Sequence, residues 1–278
     1  MFVERCWLRK STAFFIIKRI KMKIDLYNEN CLDTMKRMKR NGDKVNIILT
    51  SPPYNIRRNV KTERAKNNFE CFYDSYKDNM TDDDYCNFIK NCFDNFDSIL
   101  SDNGVVLWNC NYGNENFNQP WLSLSYILIL TNFCISEVIY WRKKCAIPNN
   151  VSRNKLTRII EPIFVLVKKE NFKSYQCNKK VVSVNDKTKQ NFYENIVNFI
   201  EAANNDGACK LNKATFSSEM VSKLLDIYAM DGDVVYDPFM GTGTTAVGCV
   251  KFNGKISRVI GSEISSAQVE YSKQRLGI

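Results

Sequence analysis

Strand-like runs separated by helical patterns constrain the fold of this chain more than any other feature. The runs, rich in β-branched and apolar residues, fall at 24–27, 45–50, 104–110, 135–141, 161–168, 233–236 and 256–261. A helical pattern opens at Thr81, with Asp82, Asp83 and Asp84 in its first turn. Its apolar stripe is Tyr85, Phe88, Ile89, Cys92, Phe93, Phe96, Ile99 and Leu100, and Gly104 lies beyond it. A second runs from Ser217 through Met220, Val221, Leu224, Leu225 and Tyr228, and a third opens with Ser265 and Gln268 at capping-box spacing. Strands joined through helices pair in parallel, and a parallel sheet needs cover on both faces. The pattern predicts an α/β fold built on a mostly parallel seven-stranded sheet with helices on both sides.

Composition narrows the chemistry. The 278 residues suffice for one large core, and 44% hydrophobic with 12% aromatic content excludes a disordered chain. A formal charge of +10 is a weak pointer to nucleic acid. The chain has no histidine, which removes Ser-His and Cys-His nucleophile pairs and histidine-ligated zinc, and no metal is expected. Eleven cysteines are scattered without a Cys-x-x-Cys pair, a pattern that favours reduced thiols and a cytoplasmic setting. The apolar stretch Ala13–Ile17 is too short to span a membrane. Residues 1–21 therefore read as a dispensable extension and 22–278 as the catalytic domain.

Two short motifs carry the site. Asp237-Pro238-Phe239-Met240-Gly241-Thr242-Gly243-Thr244-Thr245 follows a strand and opens a helix, so its backbone N–H groups can approach a ligand closely. Glu263, after the next strand, is placed to accept hydrogen bonds from ribose hydroxyls. By itself a Gly-x-Gly turn is equally an ordinary strand-to-helix connection; the acids on either side favour a nucleotide-like cofactor. Near the other end, Thr50-Ser51-Pro52-Pro53-Tyr54-Asn55 follows the apolar run Val45–Leu49. The prolines fix the backbone and remove two donors, Ser51 adds an acceptor, and Tyr54 offers a ring for stacking. That set suits a planar base bearing an exocyclic amine.

Asp-Pro-Phe-x-Gly-x-Gly-Thr-Thr together with Ser-Pro-Pro-Tyr resembles the S-adenosyl-L-methionine-dependent DNA amino-methyltransferases, which modify N4 of cytosine or N6 of adenine. The motif order, catalytic first and cofactor last, is similar to their circularly permuted β class. The resemblance spans residues 23–278 and includes Asn30-Cys31-Leu32, Tyr140-Trp141-Arg142-Lys143, Glu161-Pro162-Ile163 and Ala214-Thr215-Phe216. It implies a Rossmann-like methyltransferase fold. Cofactor contacts are implied at Asn30, Cys31, Phe216, Asp237, Pro238, Phe239, Gly241, Gly243, Thr244, Thr245 and Glu263, and catalytic roles at Ser51, Pro52, Pro53 and Tyr54. Two positions depart from the family: Asn30 stands where an acid is usual, and Asn212-Lys213-Ala214-Thr215-Phe216-Ser217 replaces His-Pro-Ala-x-Phe-Pro.

The implied reaction is an in-line displacement by the exocyclic nitrogen of a base rotated out of the duplex and stacked on Tyr54. Hydrogen bonds to Ser51 and the Pro52 carbonyl would localise the nitrogen lone pair. In this family Ser-Pro-Pro-Tyr goes more often with cytosine, so N4-cytosine is expected over N6-adenine. The implied partner is double-stranded DNA, with a cognate restriction endonuclease as a second. DNA-contacting insertions are expected at about 56–80 and 142–212, with Arg57, Arg58, Lys61, Lys143, Lys144, Arg153 and Arg158 on phosphates. For any single lysine a solvated surface charge is the plainer reading. An RNA or small-molecule methyltransferase and a catalytically silent DNA-binding relative are the rival classes.

Overall fold

The computed structural model describes residues 22–55, 80–110, 118–204, 206–207, 209, 211–212, 215–252 and 256–278. The expected extension at 1–21 and most of the insertion at 56–80 lie outside them, together with Arg57, Arg58 and Lys61. In chain order the elements are β1 (Lys23–Tyr27), α1 (Cys31–Asn41), β2 (Val45–Thr50), α2 (Asp82–Ile99), β3 (Leu100–Asn109), α3 (Asn118–Leu130), β4 (Phe133–Lys143) and β5 (Ile160–Lys168). There follow β6 (Val181–Val184), β7 (Asn191–Tyr193), β8 (Phe199–Ala202), α4 (Ser218–Tyr228), β9 (Val234–Asp237), α5 (Thr244–Lys251), β10 (Arg258–Ser262) and α6 (Ser266–Leu276).

Eight strands, where seven were expected, form the main sheet in the order β1-β10-β9-β2-β3-β5-β4-β8. Every neighbouring pair is parallel except those made by β5, which runs against β3 and β4. The additional strand is β8, in a stretch whose composition fits a short helix over 191–201. Phe199–Ala202 instead pairs in parallel with Tyr140–Lys143, and Asn191–Tyr193 pairs with Val181–Val184 in a separate ribbon. Long-range ladder bonds override the local preference there.

Side-chain alternation divides the core in two. Ile47 and Leu49 of β2, Val105 and Leu107 of β3, and Val235 of β9 face α4 and α5. Ile48, Val106, Trp108 and Tyr236 face α1, α2 and α3. On that second face Phe93 packs edge-on against Phe96, Trp108 and Phe133 at centroid distances of 4.9, 5.1 and 5.2 Å. Each such ring contributes about 1.5–3 kcal/mol through burial. Thr81 caps α2 by accepting from the Asp84 N–H, and Ser265 caps α6 by accepting from the Gln268 N–H, as the acidic first turn and the capping-box spacing predict.

The topology fixes where a ligand can sit. From β9 the chain proceeds to β10 on one side, whereas from β2 it proceeds to β3 on the other. β2 and β9 are neighbours, so a crevice opens beyond their carboxyl ends. Ser51 directly follows β2 and Asp237 ends β9, which brings both motifs to that crevice.

Candidate active site

A cavity of about 350 Å³ occupies the crevice, a volume suited to a small ligand. Among the residues expected to act, Asn30, Cys31, Ser51, Pro52, Pro53, Tyr54, Phe216, Pro238, Phe239, Gly241, Thr244 and Glu263 line it. Asp237, Gly243 and Thr245 lie behind the wall.

Asp237 is fully buried and joins three elements. Its carboxylate accepts from the Thr50 hydroxyl at 2.6 Å, the Thr245 hydroxyl at 2.5 Å and the Phe239 N–H at 2.9 Å. Burial pushes its pKa up to about 6 against the opposing pull of those bonds. The acid ties the glycine turn to the end of β2 from behind the cavity wall. Gly241 and Gly243 have φ of +53° and +82°, where an L side chain is strained, and a Cβ on Gly243 would sit 3.0 Å from the Ser272 Cβ. Glu263 accepts from the Gly241 N–H and the Ser265 N–H, both at 2.9 Å, which sets its carboxylate on the cavity rim.

Asn30 lines the cavity and has a second task. Its side chain caps α1, accepting from the Leu32 N–H at 2.9 Å. The acid at this rim is the neighbouring Glu29, which accepts from the Thr34 hydroxyl at 2.7 Å and forms an ion pair with Arg37 at 2.7 Å. Glu29 carries no motif signal of its own, because the resemblance places the acid one position later, at Asn30. Phe88, Met80, Asn212, Thr215 and Gln268 also line the cavity unanticipated. Phe88 stands 5.9 Å from Phe239, and the buried Thr215 hydroxyl has no partner among the described residues.

On the other side a chain of side chains runs away from Ser51. The Ser51 and Tyr54 hydroxyls are in contact, Tyr54 donates to Asn109 Oδ1 at 3.3 Å, and Asn109 Nδ2 donates to the Pro162 carbonyl at 3.4 Å. A carbonyl can only accept, so it fixes the direction of the whole chain. The amide nitrogen faces Pro162, the amide oxygen faces Tyr54, and Tyr54 gives its proton to that oxygen. Ser51 then donates to Tyr54 and keeps its lone pairs for the cavity. The Pro53 carbonyl is taken by the Tyr85 hydroxyl at 2.7 Å, whereas no described residue donates to the Pro52 carbonyl. The motif ends in a clamp: Asn55, with φ of 50°, accepts from the Met80 N–H at 2.7 Å and donates to the Met80 carbonyl at 2.9 Å.

The basic residues expected on DNA divide. Lys143 is held by the buried Glu161 at 2.5 Å and lies over the Trp141 ring, and Lys144 is held by Glu219 at 2.6 Å. Lys144, then the Ala203 N–H and Lys223, hold the Glu219 carboxyl down at about 2 against the opposing effect of burial. Arg153 is exposed and Arg158 half-buried. No group of acids, cysteines or histidines that would hold a metal occurs among the described residues, and no described helix is long and apolar enough to cross a membrane.

Comparison with known proteins bears on this geometry. The N6/N4 methyltransferase family, described as DNA methylase, matches residues 45–274. The type II methyltransferase M.MwoI of Methanothermobacter wolfeii is 24% identical over 210 residues; these are 73% of this chain and 27% of that protein, so the chain spans about a quarter of its relative's length. The crystal structure of M1.HpyAVI is similar at a TM-score of 0.56 and 21% identity, over 92% of this chain and 99% of that one. PvuII DNA methyltransferase, cytosine-N4-specific, gives a TM-score of 0.62 at 14% identity over 91% and 86% of the two chains. TTHA0409 of Thermus thermophilus, complexed with S-adenosyl-L-methionine, gives 0.55 at 16% identity over 91% and 93%. The mostly parallel sheet with helices on both faces is the fold these structures share.

Proposed function

Because the chain belongs to the N6/N4 DNA methylase family, we propose that it transfers a methyl group from S-adenosyl-L-methionine to the exocyclic amine of a base in double-stranded DNA, N4 of cytosine in preference to N6 of adenine. The observation that carries this reading is the meeting of both motifs at one cavity, joined by the buried Thr50–Asp237 hydrogen bond.

The residues present fit the cofactor. Glu263 offers a fixed carboxylate, Phe239 and Ile264 offer apolar walls, and the Thr215 hydroxyl, without a partner among the described residues, offers a polar contact. When bound, the cofactor would supply an electrophilic methyl group on a sulfonium that leaves as a neutral thioether, and the amine would release one proton to solvent. The chain's own task is to aim the amine. Ser51, held as an acceptor by the Tyr54–Asn109–Pro162 series, and the Pro52 carbonyl can each take one amine N–H and localise the nitrogen lone pair. The Tyr54 ring offers a stacking face for a base out of its helix.

The cytosine preference rests on Ser51, a neutral acceptor where adenine-directed relatives more often carry a carboxylate. A cognate restriction endonuclease belongs to the same proposal. Incubation with duplex DNA and labelled cofactor, followed by nucleoside mass spectrometry, is expected to yield N4-methylcytosine. N6-methyladenine alone would reverse the choice of base, and no methylated nucleoside from varied DNA would remove the assignment altogether.

A further inference from the structure

The chain between β4 and β5 forms an ordered loop at the cavity end of the sheet. Its base is riveted on two sides. Lys143 is held by Glu161, next to the Pro162 that orients Asn109, and Lys144 is held by Glu219, in the first turn of the helix that follows Phe216. Cys145 donates from its N–H to Asn204 Oδ1 at 3.1 Å. Within the loop the Asn149 N–H donates to the Thr157 hydroxyl at 3.0 Å, and Asn149 Nδ2 donates to the Lys155 carbonyl at 2.9 Å. The two lysines therefore serve as anchors of this loop and are committed to carboxylates.

The tip is built against the usual rule for a loop. Ile147, Val151 and Leu156 are 80%, 94% and 88% exposed, and Arg153 and Lys155 stand between and beside them. Isolated apolar side chains on a surface need no explanation, but three at the tip of one internally bonded loop with interleaved cations form a surface. Its charge is complementary to a polyanion. Its apolar side chains have the size of those that enter between base steps and take over stacking lost when a duplex is distorted.

We propose that this loop tip, Val151 and Leu156 flanked by Arg153 and Lys155, enters the base stack of duplex DNA beside the cavity and fills the space left by the displaced base. The inference rests on the amino-methyltransferase reading. Arg153 and Lys155 hold the phosphates on either side of the entry point, and the apolar pair contributes to the cost of opening the target pair.

The test uses the full chain and a duplex carrying the sequence methylated in an expressing host, identified by single-molecule sequencing. Val151→Ser with Leu156→Ser retains the Asn149 bonds that shape the loop. Its kcat/KM is expected to fall at least about tenfold on a fully paired target, since unstacking costs a few kcal/mol per step. On a duplex with an abasic site opposite the target base, where opening is already accomplished, the variant should return to within about threefold of the unchanged protein. Arg153→Gln with Lys155→Gln should lose activity on both duplexes and flatten the salt dependence. Equal loss of the serine variant on both duplexes, or no loss on the paired one, overturns the inference. Unaltered protein that methylates no DNA overturns the underlying reading instead, and the inference with it.

Discussion

Asn109→Leu isolates the device that commits Ser51 to accepting. Leucine has the branched outline of asparagine with bulkier ends, and the Pro162 carbonyl keeps its bond from the Cys110 N–H at 3.2 Å, so no backbone group is orphaned. What changes is Tyr54, whose hydroxyl loses its acceptor at 3.3 Å and turns its proton toward Ser51. Ser51 then presents its own O–H to the cavity, a donor facing an amine that needs an acceptor. One net hydrogen bond at the reacting nitrogen is about 1.4 kcal/mol, a factor of about ten in kcat. Initial rates at saturating DNA and cofactor should show that loss, with calorimetric cofactor affinity unchanged. Asn109→Asp keeps an acceptor for Tyr54 and should remain within about threefold of the original at pH 8. Its rate should then hold as pH decreases, because a proton gained by the new carboxyl is donated to the Pro162 carbonyl and leaves the other oxygen to accept from Tyr54. A leucine variant with full kcat, or an aspartate variant as slow as leucine at pH 8, would refute the directional argument.

Other substitutions test the remaining supports. The Asp237 carboxyl sits at about 6 in the fold against 3.8 for the ordinary group, so the native state holds the extra proton between those values. Stability from this group is present below pH 4 and lost as pH rises through 6, by up to about 3 kcal/mol. Asp237→Asn should lack that slope in urea midpoints measured between pH 4.5 and 7.5. Glu219 is shifted the other way, to about 2, and its side chain is 35% exposed. Solvent screening leaves Glu219→Gln a loss of about 1 kcal/mol at pH 7, which should vanish as pH falls through 2. Gly243→Ala forces an L side chain to a φ of +82° and should cost about 1–2 kcal/mol with a weaker cofactor site, read by thermal melts with and without cofactor.

Much of the sheet was legible because strands buried on both faces write themselves as apolar runs. Val45–Thr50, Ile160–Lys168 and Arg258–Ser262 fall within a residue or two of their expected places. Helices with one wet face were equally clear: α2 buries Tyr85, Ile89, Cys92, Phe93 and Phe96 as its stripe predicts. The failures share a cause, which is dependence on residues far away in sequence. α3 is apolar on most of its surface, with Trp121, Ile129 and Leu130 exposed, so it carries no helical period to detect. β8 exists through its ladder to β4, 59 residues upstream at the Tyr140–Phe199 pair, and no local pattern announces that. The cavity walls followed the motifs, but Asn109 and Thr50 did not, because their roles are hydrogen bonds to other motif residues. The charges of Lys143 and Lys144 are visible in sequence, whereas their partner carboxylates, Glu161 and Glu219, are not.

The two motifs lie at opposite ends of the chain and work as one object, and Thr50 is where that can be measured. Its hydroxyl belongs to β2, immediately before Ser51, yet it donates to Asp237, 187 residues away, beneath the glycine turn. Thr50→Val preserves shape and removes the donor. Asp237 then keeps the Thr245 hydroxyl and the Phe239 N–H but loses one of three supports for a charge already disfavoured by burial. Removing one partner of a buried charge-assisted bond costs about 1.5–3 kcal/mol. Because Asp237 anchors the turn on the cofactor side and Thr50 leads into the catalytic motif, the loss should appear on both sides at once. Cofactor affinity should weaken and kcat should fall, although neither residue lines the cavity. Ser51→Ala, by contrast, should lower kcat and leave cofactor affinity alone. If Thr50→Val reproduced the serine variant, with cofactor affinity intact, the two motifs would be neighbours without being coupled.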